Sequence, residues 1–117
     1  MVTALGAVLN GNVSICTLPA NTIVTNAWIV IDSQAAGTTT LTVSCGITGA
    51  AYTDYVGASN AQVAANTIYS PSTTALNSFP SASGTTVVNA HFISTVSNLS
   101  AVTTCTGHIY LETMIAP

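Results

Sequence analysis

Thr22-Ile23-Val24-Thr25-Asn26-Ala27-Trp28-Ile29-Val30-Ile31-Asp32 reads as one long β-strand. β-Branched side chains dominate it; they lose χ1 freedom in a helix and pack well on a pleated surface. Ala27 to Ile31 is apolar on both alternating faces. A strand covered on both sides has that pattern, so this one is placed at the centre of a sheet.

Period-two patterning spreads outward from this strand. Val13 to Leu18 reads as the preceding strand, stopped by the turn Pro19-Ala20-Asn21. Gln34 to Gly37 reads as a turn. Thr38 to Gly46 alternates, with Leu41, Val43 and Cys45 on one face and Thr40, Thr42 and Ser44 on the other. That predicts one buried and one wet face. Gly46 to Ala51 is a second turn leading into a strand over Tyr52 to Val56. Thr85 to Thr95 and Gly107 to Ile115 alternate again, and Ala101 to Cys105 makes a short strand between them.

Asn60-Ala61-Gln62-Val63-Ala64-Ala65-Asn66 is the one helical candidate, with Asn at a capping position and an Ala-rich body. At barely two turns it lies below the length at which a helix is stable alone. Ser70 to Gly84 carries Pro71, Pro80 and seven Ser or Thr residues and reads as a long surface loop. Seven or eight short strands with turn signals between them predict an all-β chain. We expect one antiparallel β-sandwich domain, jelly-roll-like, over residues 1–117, with at most one short helix near 60–66.

The chain has 117 residues, with no Lys, no Arg, and only Asp32, Asp54 and Glu112 as acids. Charged residues make up 3%, against about 25% in an ordinary soluble domain. Phosphate and nucleic-acid binding lack their cations. Lys and Arg salt bridges are absent, so burial and hydrogen bonds must hold the fold. With 49% hydrophobic residues, an uncharged surface is best tolerated where neighbouring subunits cover it. No apolar run approaches the roughly 20 residues of a membrane helix. The opening Met1-Val2-Thr3-Ala4-Leu5-Gly6 lacks a basic n-region and makes a poor signal peptide, so any exit from a cell is expected within an assembly or by lysis.

Residues with chemistry are few. Cys16, Cys45 and Cys105 are odd in number and form no C-x-x-C pair. Three buried reduced thiols are the favoured reading, with one disulfide plus a free thiol as the alternative. His91, His108, Asp32, Asp54 and Glu112 show no metal-ligand spacing; His108 and Glu112 share a strand face but stand roughly 13 Å apart. There is no G-x-S-x-G elbow. No basic residue exists to draw a Cys toward thiolate, and three acids leave few carboxylate pairs. No catalytic, cofactor-binding or metal residue is assigned, and no enzymatic activity is expected. Gly46 and Gly49 read as turn residues. Tyr52, Tyr55 and Tyr69 are either a stacking platform for sugars or, by preference, core-edge aromatics. Asn12-Val13-Ser14 and Asn98-Leu99-Ser100 match the glycosylation pattern and read as turn-flanking residues.

Several stretches carry a resemblance: Asn21 to Ile31, Thr40 to Gly46, Tyr52 to Ser59, Ala64 to Tyr69, Val88 to Phe92 and Leu99 to Thr103. Together they resemble small tailed-bacteriophage virion structural proteins, and among these capsid decoration, or cement, proteins. The resemblance implies a β-rich homotrimer on the outer capsid surface. Its implied partners are the major capsid protein and copies of itself, without nucleic acid, membrane or cofactor. Contact is expected through the N-terminal segment, the Ser70 to Gly84 loop and the tail after Met114. Two other roles suit the same composition: a tail-fibre, baseplate or receptor-binding module, and an extracellular filament or matrix subunit.

Overall fold

The computed structural model of this chain describes residues 8–38, 40–47, 52–63, 67–69, 84–95 and 98–116. They form two antiparallel sheets packed as a sandwich. Strands β1 (Asn10–Leu18), β6 (Thr86–Ile93), β3 (Thr42–Gly46) and β4 (Val56–Asn60) make one sheet, in that spatial order. Strands β5 (Thr67–Tyr69), β2 (Thr22–Ala36) and β7 (Thr104–Ile115) make the other, with β2 in the middle. The one helical element among the described residues is a 3₁₀ turn, Leu99–Ala101. None of their helices is long and apolar enough to cross a membrane.

The central position of β2 agrees with its two-sided apolar pattern, and a bulge sets its phase. Val24 is fully buried, then the register with β7 slips between Val24 and Asn26, and Ala27, Ile29 and Ile31 take over the inward face. The Asn26 side chain accepts a hydrogen bond from the Ala27 N–H at 3.0 Å, satisfying backbone that the bulge leaves unpaired. Leu41, Val43, Cys45, Val88, Ala90 and Phe92 complete the core from the facing sheet. The expected wet face of β3 is drier than its alternation suggests: Ser44 is buried as well.

Several boundaries differ from expectation. Strand β2 runs through the expected turn at Gln34 as far as Ala36, because two further bulges keep it paired to β7. It stops at Gly37, whose φ of +86° suits glycine and where a Cβ would sit 2.0 Å from the Ala101 carbonyl oxygen. The expected short strand over Ala101 to Cys105 does not form: Ala101 closes the 3₁₀ turn, and only Thr104 and Cys105 lie in a strand, as the start of β7. Residues 52–55 turn instead of extending: Tyr52 has a φ of 46°, and the Asp54 carboxylate accepts the Ile47 N–H at 2.8 Å.

The short helix near 60–66 does not begin where expected. Asn60 closes β4, and its side chain accepts the Gln62 N–H at 2.9 Å, making a tight turn. The Ala61 N–H donates to the Leu41 carbonyl and the Ala61 carbonyl accepts from Ala35, at 2.8 and 2.9 Å. These bonds stitch the segment between the sheets, an alternative that a two-turn helix cannot match. Residues 64–66 lie outside the described residues, as does the expected loop over 70–83.

Candidate functional site

The outward face of the β5–β2–β7 sheet follows directly from its register. Ile68 opposes Val30, and Val30 opposes His108; Trp28 opposes Tyr110; Ile23 opposes Met114. Directly opposed residues on antiparallel strands share a face. Ile68 is 64% exposed, Met114 55% and Tyr110 52%, with Val30, Trp28 and Ile23 half-buried beside them. The result is an apolar stripe across three strands, on the side of the sheet turned away from the core.

Polar groups fringe the stripe. His108 Nδ1 pairs with the Asp32 carboxylate, and its ring stacks on Tyr110 with centroids 5.9 Å apart. Thr25 Oγ1 donates to Glu112 at 2.6 Å. His108 and Glu112 do share this face, but each finds its partner on β2. The pairing of His108 with Asp32 depends on the β2–β7 register, which no local pattern reports.

A second feature lies between the sheets. A cavity of about 480 Å³ is walled by Ile15, Ile29, Val43, Phe92, Ile109 and Leu111. Its flank is formed by β1 and β7, each an outermost strand of its own sheet. Among the described residues no strand pairs with the free edge of either. Neither strand contains Pro, and the chain has no Lys, the two residues that natural proteins most often use to blunt an edge.

The cysteines are all free and are not all buried. Cys45 is enclosed, Cys105 is half-buried, and Cys16 is exposed, with Cys16 and Cys105 both on the cavity wall. The bulge at Ser14/Cys16 and the unpaired edge of β1 leave Cys16 open to solvent. Burial, with smaller contributions from Cys16 and Asp54, pushes the Cys45 thiol up to about 12. Burial also raises Cys16 and Cys105. Neutral thiols are poor nucleophiles and poor metal ligands.

His91 lies on the outer face of the four-stranded sheet, not at its rim. It is 6% exposed, its Nδ1 finds no hydrogen-bond partner, and the Tyr52 ring packs on it at 5.7 Å. Burial lowers its pKa. Asn12 and Ser14 both donate to Asn89 Oδ1 at 3.3 Å on the same face. They are therefore mid-strand residues, not turn-flanking ones.

The three tyrosines do not meet on one platform. Tyr55 is in the core at 1% exposure, its hydroxyl pushed up to about 12 chiefly by burial. Tyr52 covers His91, and Tyr69 donates to the Asn60 carbonyl at 2.6 Å. Among the described residues the exposed aromatic is instead Tyr110, with the half-buried Trp28 opposite it. Sequence reading passed over this pair because the two residues sit on different strands. Among the described residues, no group of three or more His, Cys, Asp or Glu side chains is placed to hold a metal ion. No family model, curated protein or solved structure matches the chain.

Proposed function

We propose that this chain is a non-enzymatic structural subunit of a tailed-phage particle, a decoration or cement protein on the outer capsid surface. The carrying observation is the apolar stripe from Ile68 through Trp28 and Tyr110 to Met114 on a chain without Lys or Arg. Such a face is costly to leave in water and offers little long-range charge, so its use is a packed protein–protein contact. Its partners would be the major capsid protein and further copies of itself. Contacts gathered over several shell subunits would oppose the outward pressure of packaged DNA through additive binding free energy. We read the sandwich as jelly-roll-like: β1 and β3 flank β6 while β2 neighbours β7, an interleaving of early and late strands that supports this.

The test is stoichiometry. In purified particles the chain is quantified against the major shell protein, using chymotryptic peptides because trypsin has no internal site. A copy number equal to the shell subunits, or a simple fraction of them, is the expected result. Absence from particles would refute the virion role.

The opposed pair Trp28 and Tyr110 favours one second reading, a tail-fibre or receptor-binding module. Flat aromatic faces stack on sugar rings without needing cations. A few copies per particle together with glycan binding by the isolated chain would select it.

A further inference from the structure

We propose that two copies of this chain pair through β7, edge to edge and antiparallel, about a two-fold axis at Tyr110. The inference deepens the assembly reading above by naming the partner at one surface.

Among the described residues no strand pairs with the outer edge of β7, which is long and unblunted. It spans Thr104–Ile115 with no Pro or Lys, and its other side is fully engaged with β2. Unpaired backbone along such an edge is a template for another strand. A two-fold axis at Tyr110 lets residues 105–115 pair with themselves, nearly the whole strand. An axis at Ile109 would pair as many residues, 104–114, so the side-chain chemistry selects Tyr110.

That register is also chemically self-consistent on both faces. Outside, Tyr110 meets Tyr110 of the second copy, and His108 meets its Glu112, twice by symmetry. His108 already contacts Asp32 through Nδ1; Nε2 is its remaining polar atom, with the Glu112 carboxylate as acceptor. Moving the axis by one residue, to 109 or 111, loses the His–Glu match. Inside, Ile109 meets Leu111 of the second copy, and Cys105 meets its Ile115. Ile109 and Leu111 are cavity-wall residues, so the second copy's β7 would extend that apolar wall. Ile115, 61% exposed in the single chain, would gain apolar neighbours. Hydrogen-bonding side chains and apolar side chains thus each meet their own kind in one register, the condition under which cross-strand pairs stabilise a sheet. The product is a continuous sheet running β5–β2–β7 and on through β7–β2–β5 of the partner.

Sedimentation equilibrium of the full chain, over a range of concentrations, should give the mass of a dimer. Register is read by cross-linking in a Cys16→Ala/Cys105→Ala background. Tyr110→Cys should form a disulfide-linked dimer on mild oxidation, since directly opposed strand positions bring Cβ atoms within disulfide reach. Thr106→Cys and Met114→Cys should each stay uncross-linked alone and cross-link when mixed, which gives the same readout if Tyr110→Cys fails to fold. A monomer at every concentration, a trimer, or a dimer lacking both cross-links would overturn the proposal. So would a chain that dimerises only after removal of residues 1–7, which would assign the edge to its own N-terminus. A monomer still found on shells would refute the edge pairing and leave the decoration role standing; a cross-linked dimer absent from particles would do the reverse.

Discussion

Trp28 on β2 and Tyr110 on β7 stand directly opposite one another on the outer face of the three-stranded sheet. Neither is in the core, and both rings lie on the side turned away from the second sheet. Because Ile68, Val30 and Met114 continue the same face, a charge placed there should impair assembly without unfolding the domain. Ile68→Glu and Met114→Lys are expected to lower binding to shells stripped of this chain by at least about tenfold, the loss of one well-packed apolar contact. Their thermal midpoints should stay near the parent value. Retained binding in both variants would refute the use of this face.

Salt gives an independent reading of the same contact. With no Lys or Arg and only three acids on the chain, a packed apolar attachment to the shell should depend little on long-range attraction. Binding measured as sodium chloride is raised should hold or strengthen. A steep loss of binding would assign the contact to the few carboxylates instead.

Gly107 offers a test of the β2–β7 pairing. A Cβ at Gly107 would lie 2.5 Å from the Val30 carbonyl oxygen, which is backbone and cannot swing away. Gly107→Ala should therefore cost about 1–3 kcal/mol in urea unfolding. Gly57→Ala is the control: nothing lies within 4 Å of a Cβ there, and the change should be neutral or slightly stabilising. Equal effects at both sites would contradict the close approach.

His91 makes stability depend on pH. Its folded pKa is held below the ordinary value of about 6.5 by burial, so the unfolded chain binds the proton first. The contribution is fully present above about pH 6.5 and is lost as pH falls through the folded value. Urea midpoints measured from neutral to mildly acid pH should fall in the parent and fall less in His91→Gln. Parallel profiles would show that His91 is not the group responsible.

The thiols should react in a fixed order. Cys16 is exposed, Cys105 half-buried and Cys45 enclosed with its thiol near 12. An aromatic disulfide reagent at neutral pH should label Cys16 first, then Cys105, with Cys45 reacting only as the chain unfolds. Early labelling of Cys45 would mean that the core around β3 opens locally.

The all-β class, the central place of Ala27 to Ile31, and the burial of Leu41, Val43 and Cys45 were legible from residue order. A strand's faces alternate by geometry, and β-branched apolar residues make that alternation visible. Where the reading missed, a distant partner had intervened. Asn60 ends a strand and does not begin a helix because Leu41 and Ala35 take the backbone bonds of Ala61. Cys16 is exposed because β1 lies at an edge, and position within a sheet is not encoded in any local pattern.

Local order therefore established a two-sheet, nearly uncharged chain with one strand apolar on both faces and central in its sheet, since those properties depend on each residue and its near neighbours; that only one of those faces is buried was not legible there. The outer stripe, the pair His108 and Asp32, and the free edges flanking the cavity came from pairing between strands remote in the chain. A single bulge shifts every later side chain to the opposite face. The sites with a use on this protein depend on such registers, and a register is a property of two strands together.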